Sequence, residues 1–223
     1  MPQRFFTPDY VERAVLRDGT VVRLRLLAPE DKALLSSGFQ HLSADSRYAR
    51  FLAPKQALSA DELRYLTEID QESHFAIGAV REDGDGHGEP VGLGIARFIR
   101  LADPRTAEAA IAVADSVQGQ GLGKLLFLRL VAAAAERGIE TFHCELLGTN
   151  AAMHKLIHGI APHPIETTTH GVTSVDLPLP DVQPTQPPSV PMPENPGYRL
   201  LRLAARNAAE WTEAVRAFWH RRR

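Results

Sequence analysis

One cysteine, Cys144, stands alone in 223 residues. No disulfide can form within the chain, and a reducing cytoplasm is the expected compartment. Cys144 lies in a strand-like run and reads as a small buried hydrophobe rather than a nucleophile. Long apolar runs are missing too, so nothing is long enough to cross a bilayer. Met1 to Phe6 lacks the apolar stretch of a signal peptide. Nor does one sign of charge dominate. Lys and Arg total 25 against 27 Asp and Glu, a net charge of −2, so no global field argues for nucleic acid. What is present is a hydrophobic content of 44% and a charged content of 23%, ordinary values for a chain that can build a full core. The length allows one large or two small domains.

The chain is organised around Val117-Gln118-Gly119-Gln120-Gly121-Leu122-Gly123-Lys124. The apolar run Ala109 to Val113 before it reads as a strand, and Leu125 to Arg137 after it reads as a helix. A strand, a glycine-rich turn and a helix make a place for phosphate. Glycine lets the backbone approach an anion closely, and the free N–H groups of the helix's first turn point at it. Spacing separates the possible patterns. A P-loop would need glycine at Gln118 and Ser or Thr at Leu125, and the dinucleotide fingerprint needs G-x-G-x-x-G. Gly119, Gly121 and Gly123 give G-x-G-x-G instead. A glycine-rich turn without a ligand is the plain alternative.

In chain order, Ala14 to Leu16 and Val21 to Leu27 flank Asp18-Gly19, a hairpin signal. Pro29-Glu30-Asp31 suits a helix start, with acids at the positive helix end. Ser43 to Leu52 carries Ser46, Arg47, Tyr48, Arg50 and Phe51. Ser59 with Glu62 is a capping box opening a further helix. Phe75 to Val80 and Val91 to Phe98 read as strands, joined by an acidic, glycine-rich hairpin loop, 82–89, that lacks the calcium-loop frame. Glu108 to Val113 and Thr141 to Leu147 are strands around the glycine loop and its helix. Asn150 begins a short helix, Ala151 to His158. Glu166 to Thr169 and Val172 to Leu177 flank His170-Gly171 as a closing hairpin. Only the strand–helix–strand unit must be parallel. The expected fold is therefore α/β (α+β), with a mixed, mostly antiparallel twisted sheet and helices on both faces.

The expected domain is 1–177. From Pro178 to Gly197 prolines recur at Pro178, Pro180, Pro184, Pro187, Pro188, Pro191, Pro193 and Pro196, so 178–197 reads as a semi-rigid linker. Residues 198–223 read as an amphipathic helix, with Leu201, Ala204, Ala208, Trp211, Val215 and Phe218 on one stripe and Arg199, Arg202, Arg206 and Arg216 beside it. That stripe must be covered. Docking on its own domain and homodimerisation are the leading options. A membrane surface or nucleic acid is the weaker pair.

Gln118, Gly121 and Gly123 fit Q/R-x-x-G-x-G/A, which closely resembles the acetyl-CoA pyrophosphate loop of the GNAT N-acetyltransferase superfamily. The resemblance covers roughly Val21 to Leu177. It is nearest to the acetyltransferase domain of bacterial Pat-type protein lysine acetyltransferases, through Leu24-Arg25 with Pro29-Glu30-Asp31, Leu42-Ser43 with Ser46-Arg47-Tyr48 and Arg50-Phe51, Leu58-Ser59 with Glu62-Leu63, Leu66-Thr67 with Asp70, and Ala107-Glu108. It implies acetyl-CoA as cosubstrate, with pyrophosphate on the amides of Gln118, Gly119, Gln120, Gly121, Leu122, Gly123 and Lys124. The pantetheine arm would lie against the Val113 backbone and near Asn150. It also implies Glu108 as general base and an amine acceptor, a protein lysine in this subgroup. Acetylation of a small amine, such as a polyamine or amino acid, and a CoA-binding regulatory module without turnover are the alternatives. Lys155 occupies the position where many members place a tyrosine acid. The segment Gly159 to Pro164 departs from the family pattern. His154 and His158, at i and i+4, could hold a metal with His163. Without the glutamate of H-E-x-x-H, surface or capping roles are the expectation, and no metal is expected.

Overall fold

The computed structural model describes residues 4–81, 90–160 and 164–179. Eight strands form one sheet: β1 (Val11–Val15), β2 (Val21–Leu26), β3 (His74–Arg81), β4 (Val91–Arg100), β5 (Thr106–Val113), β6 (Thr141–Leu147), β7 (Ile165–Thr169) and β8 (Val172–Pro178). Their order is β1-β2-β3-β4-β5-β6-β8-β7. Every pairing is antiparallel except β5 with β6. This is the mixed sheet expected from the sequence, its one parallel pair placed by the glycine loop and its helix.

Five α-helices accompany the sheet among the described residues: α1 (Lys32–Gln40), α2 (Ala44–Phe51), α3 (Ala60–Thr67), α4 (Leu122–Ala135) and α5 (Ala151–Ile160). The Ser59 capping box forms as expected, with Ser59 Oγ accepting from Glu62 N and Glu62 Oε2 from Ser59 N. Pro29–Asp31 is a turn of 3-10 helix leading into α1. No described helix is long and apolar enough to cross a membrane.

The core lies between α4 and the middle strands. Phe75, Phe98 and Phe142, from adjacent parts of β3, β4 and β6, form a file of rings spaced 5.4 and 5.9 Å, and Phe127 of α4 closes it at 6.2 Å. All four are essentially inaccessible to solvent. A file of this kind contributes both area burial and favourable ring geometry. α4 is buried from Leu126 to Ala134 without interruption, more completely than its helical stripe suggested, because the N-terminal segment covers its outer side. Phe6 and Tyr10 are buried there, and Glu136 accepts the backbone N–H groups of Phe5 and Phe6.

Several boundaries shift by one to three residues from expectation, and two of the shifts have a clear cause. α4 begins at Leu122 rather than Leu125, because Gly121 at φ 96° turns the chain directly into the helix. β8 runs to Pro178, and Leu179 is buried with its N–H on Glu140 O at 2.7 Å. Proline is tolerated at a strand end, where its missing N–H is not needed. The acidic loop 82–89, His163, the linker from Pro180 and the helix at 198–223 lie outside the described residues.

Candidate active site

β5 and β6 pair only through Thr106–Thr141, Ala107–Phe142 and Glu108–His143. Past Glu108 the two strands part, while β5 keeps its antiparallel pairing to β4 as far as Val113. The parting opens a cleft of about 230 Å³ lined by Arg50, Phe51, Glu108, Ile111, Asn150 and Met153, among others. The β6-facing backbone of Ala109 to Val113 therefore has no strand partner in the sheet. Unpaired strand groups take an extended ligand as they would take another strand.

Glu108 is exposed at the vertex of this cleft. Its charge reaches two neighbours. It favours the charged form of Arg50, whose guanidinium burial pushes the other way and lowers. It also helps push up the Cys144 thiol, to about 12, although burial is the main cause. Cys144 is 2% exposed. At that pKa it is a thiol and not a nucleophile near neutral pH, as expected.

Farther along the chain, β5 leads into the glycine loop. Gly119 and Gly121 have φ of 75° and 96°, a conformation costly to other residues. Gly121 is the N-cap of α4 and offers no side-chain cap, so the first-turn amides of Leu122, Gly123 and Lys124 are left for an external acceptor. Leu122 itself is fully buried and packs into the core, while Gly123 and Lys124 are partly exposed. Gly123 lies against β5, where a Cβ would stand 3.7 Å from Val113 Cγ2. Gln118 is tied to its surroundings through its side chain. Its Nε2 donates to Val113 O and Ser46 Oγ, both at 3.2 Å, and to Asp115 Oδ1 at 3.4 Å. It anchors the loop by its side chain.

Asp115 is the hub of that anchorage. It accepts from Ser43 N, Ser43 Oγ and Ser46 Oγ at 2.9, 2.9 and 2.7 Å. Burial acts to raise its pKa, but the hydrogen bonds from Ser43 and Ser46 outweigh it and hold the carboxyl below the usual range. The Ser43–Ser46 segment thus fastens α2, which carries Arg50 and Phe51, to the end of β5. Ser43 also caps α2, accepting from Ser46 N.

Asn150 precedes α5 and caps it, with Oδ1 accepting from Met153 N at 3.1 Å. It lines the cleft with Glu108. Lys155 is exposed. Arg17 was not singled out by sequence reasoning. From the β1–β2 turn its N–H donates to Gln120 O at 3.1 Å and its Nη1 to Gly119 O at 3.3 Å, placing an exposed cation beside the loop. Nothing local in the sequence linked residue 17 to residue 119. A second cavity of about 100 Å³, lined by Leu34, Phe39, Phe51, Gly92 and Ile95 among others, lies between α1 and the sheet and is mainly apolar.

The sequence model described as "Acetyltransferase (GNAT) family" matches residues 38–159. The chain is 30% identical over 203 residues to "Acetyltransferase Pat" of Mycolicibacterium smegmatis, covering 90% of this chain and 58% of that protein. It is 32% identical over 142 residues to "Acetyltransferase PA5475" of Pseudomonas aeruginosa, covering 63% and 74%. Among solved structures, the GNAT domain of S. lividans PAT superposes with a TM-score of 0.67 at 28% identity, covering 76% of this chain and 97% of that one. The chain thus spans a little over half the length of the mycobacterial relative.

Proposed function

The chain belongs to the GNAT acetyltransferase family, and on that premise we propose that it moves the acetyl group of acetyl-CoA directly to an amine, with Glu108 as general base and a protein lysine as acceptor. The observation that carries this is the parting of β5 from β6 at Glu108. A carboxylate stands at the vertex of the cleft, and the same strand runs on from it to the uncapped, glycine-lined N-terminus of α4.

The residues fit the cosubstrate. The amides of Gly121 to Lys124 and the cation of Arg17 suit a pyrophosphate. The edge of β5 that β6 leaves free suits the amide groups of a pantetheine arm, with the Val113 carbonyl already taken by Gln118, and Asn150 and Met153 line the same cleft. The thioester supplies the acyl group, and the chain must supply a neutral amine. A lysine of pKa about 10.4 loses about 4 kcal/mol in becoming neutral near pH 7.4. A carboxylate that takes the proton, directly or through water, offsets part of this. Exposure of Glu108 leaves room for a protein-borne side chain, and the Pat-type resemblance of Ser43 to Phe51 and of Ala107-Glu108 supports lysine over a small amine.

The test pairs wild type with Glu108→Gln. Acetyl-CoA binding is measured by calorimetry, and thiol release is followed with a panel of lysine-bearing proteins, polyamines and amino acids. Equal binding with turnover only in wild type, on a protein, supports the whole reading. Turnover on a small amine alone sinks the lysine assignment. Equal turnover by both proteins sinks Glu108 as base.

A further inference from the structure

The structure assigns a divalent transition-metal site to His154, His158 and Glu166. It stands apart from the acyl-transfer reading, because none of the three residues lines the cleft.

The two histidines are one turn apart on α5, on the same side of the helix. Their rings are nearly parallel, 21° between planes with centroids 6.5 Å apart. The third ligand comes from the next element. Glu166, the second residue of β7, brings Oε1 to 3.1 Å from His158 Nε2 and 3.9 Å from His154 Nδ1. One ligand atom from each residue lies within 4.8 Å of the others. Bonds of about 2.0–2.2 Å in a tetrahedral zinc site place ligand atoms about 3.4 Å apart. The two carboxylate separations bracket that value, and with all three ligand atoms within 4.8 Å of one another, closure around an ion asks the imidazoles to approach by no more than about 1.4 Å.

The His154 ring is held in place without the usual partner. Its Nε2 is buried and meets no hydrogen-bond partner, and its Nδ1 is too far from Glu166 for a hydrogen bond. Two imidazoles and one carboxylate suit Zn²⁺ or a neighbouring transition metal rather than Ca²⁺ or Mg²⁺, which take all-oxygen sets. A fourth position would be left to water. The sequence spacing H-x-x-x-H with an acid eight residues on did not advertise this, since α5 and β7 meet only in the folded chain.

Such an ion would join α5 to β7. β7 is the edge strand of the sheet, all five of its residues are exposed, and in the sheet it pairs with β8 alone. The ion would also steady the helix that carries Asn150 and Met153.

The experiment uses the full chain stripped of metal with a chelator, titrated with ZnCl₂ by calorimetry and with Co²⁺ by absorption. One ion per chain binds at micromolar or tighter affinity. The Co²⁺ complex has visible bands of tetrahedral intensity and no thiolate charge-transfer band. His158→Ala and Glu166→Gln each weaken binding by about 100-fold or more, with unchanged far-ultraviolet dichroism. The thermal midpoint of wild type rises by about 5–10 °C at a hundredfold excess of Zn²⁺ over Kd, and those of the variants do not. No stoichiometric binding overturns the site and leaves a simple His158–Glu166 hydrogen bond. Binding that survives in both variants overturns it too, by placing the ion on other histidines of the nine in the chain.

Discussion

Glu108 and His143 face each other across β5 and β6 and are the last paired residues of the one parallel strand pair among the described residues. Everything proposed for the cleft follows from that position. Up to this pair the strands hold each other, and beyond it β5 has backbone to spare. The proposed base thus sits where the sheet stops satisfying itself. His143 is fixed from its other side by Asp176, 2.7 Å from Nδ1, which braces the vertex. Removing the carboxylate by Glu108→Gln keeps the side-chain shape. It is expected to lower kcat by about 10²–10⁴-fold while calorimetric binding of acetyl-CoA is unchanged.

Gly121 has φ 96° as the N-cap of α4. An alanine there carries a left-handed penalty of about 1–2 kcal/mol, relieved by turning the first-turn amides away from their common target. Gly121→Ala is expected to raise the KM for acetyl-CoA by about tenfold, about 1.4 kcal/mol, with a much smaller effect on kcat. Steady-state kinetics at saturating acceptor check this, and a kcat-only defect would count against the loop as the phosphate site.

Asp115 gathers Ser43, Ser46 and Gln118 at one carboxylate. Asp115→Ala leaves those donors to water and is expected to cost about 1–3 kcal/mol of stability. Acetyl-CoA binding weakens as well, because Gln118 loses one support of the loop. Asp115→Asn, which keeps one acceptor oxygen, loses less. Urea titration and calorimetry on the same preparations separate the two effects.

Glu12 of β1 and Arg129 of α4 form a buried, bidentate ion pair, both contacts at 2.6 Å, with Tyr10 OH also donating to Glu12. Both side chains are 7% exposed. Glu12→Ala strands a buried guanidinium and is expected to cost about 3–5 kcal/mol. Glu12→Leu with Arg129→Met recovers most of the loss, since the pair's net worth over an apolar isostere is small. Chemical denaturation of the single and double variants tests this. Equal losses in both would show the pair itself to be strongly stabilising.

His74 is kept neutral by burial and then by the charge of Arg97, whose Nη1 lies 3.0 Å from Nε2, and its pKa falls to about 4. The unfolded ring titrates near 6.5. Between these values the unfolded chain binds the proton and the folded chain does not. This contribution to stability is therefore complete above about pH 6.5 and is lost progressively as the pH falls toward 4. Thermal midpoints between pH 7 and 4.5 are expected to fall in wild type. They fall less steeply in His74→Gln, which keeps an acceptor for Arg97. Parallel slopes would remove His74 as the source.

The cofactor end was legible in the sequence because it is local. A strand, a glycine turn and a helix lie in one run of residues, and Gly119 and Gly121 announce the backbone they require. The Ser59 capping box and the hairpin at His170-Gly171, with φ of 51° and 82°, were readable for the same reason. The burial of Phe6 and Tyr10 was not, because an aromatic near a terminus carries no periodicity. Ser43 and Ser46 stood out only through the family resemblance, and their work on Asp115, some seventy residues away, emerged with the fold.

By itself the sequence determined the mixed sheet, the one parallel crossover, the glycine loop and the placing of Glu108 on the strand that feeds it. These rest on interactions between residues a few positions apart, which propensity, capping and turn chemistry encode directly. Tertiary structure decided where β5 leaves β6, which side chains moor the loop, that Arg17 reaches it, that Glu12 meets Arg129 and that Glu166 meets His154 and His158. Each depends on which elements come to lie side by side. That is settled by burying the file of phenylalanines and the flank of α4 as a whole, a sum over the entire core that no short stretch of residues contains.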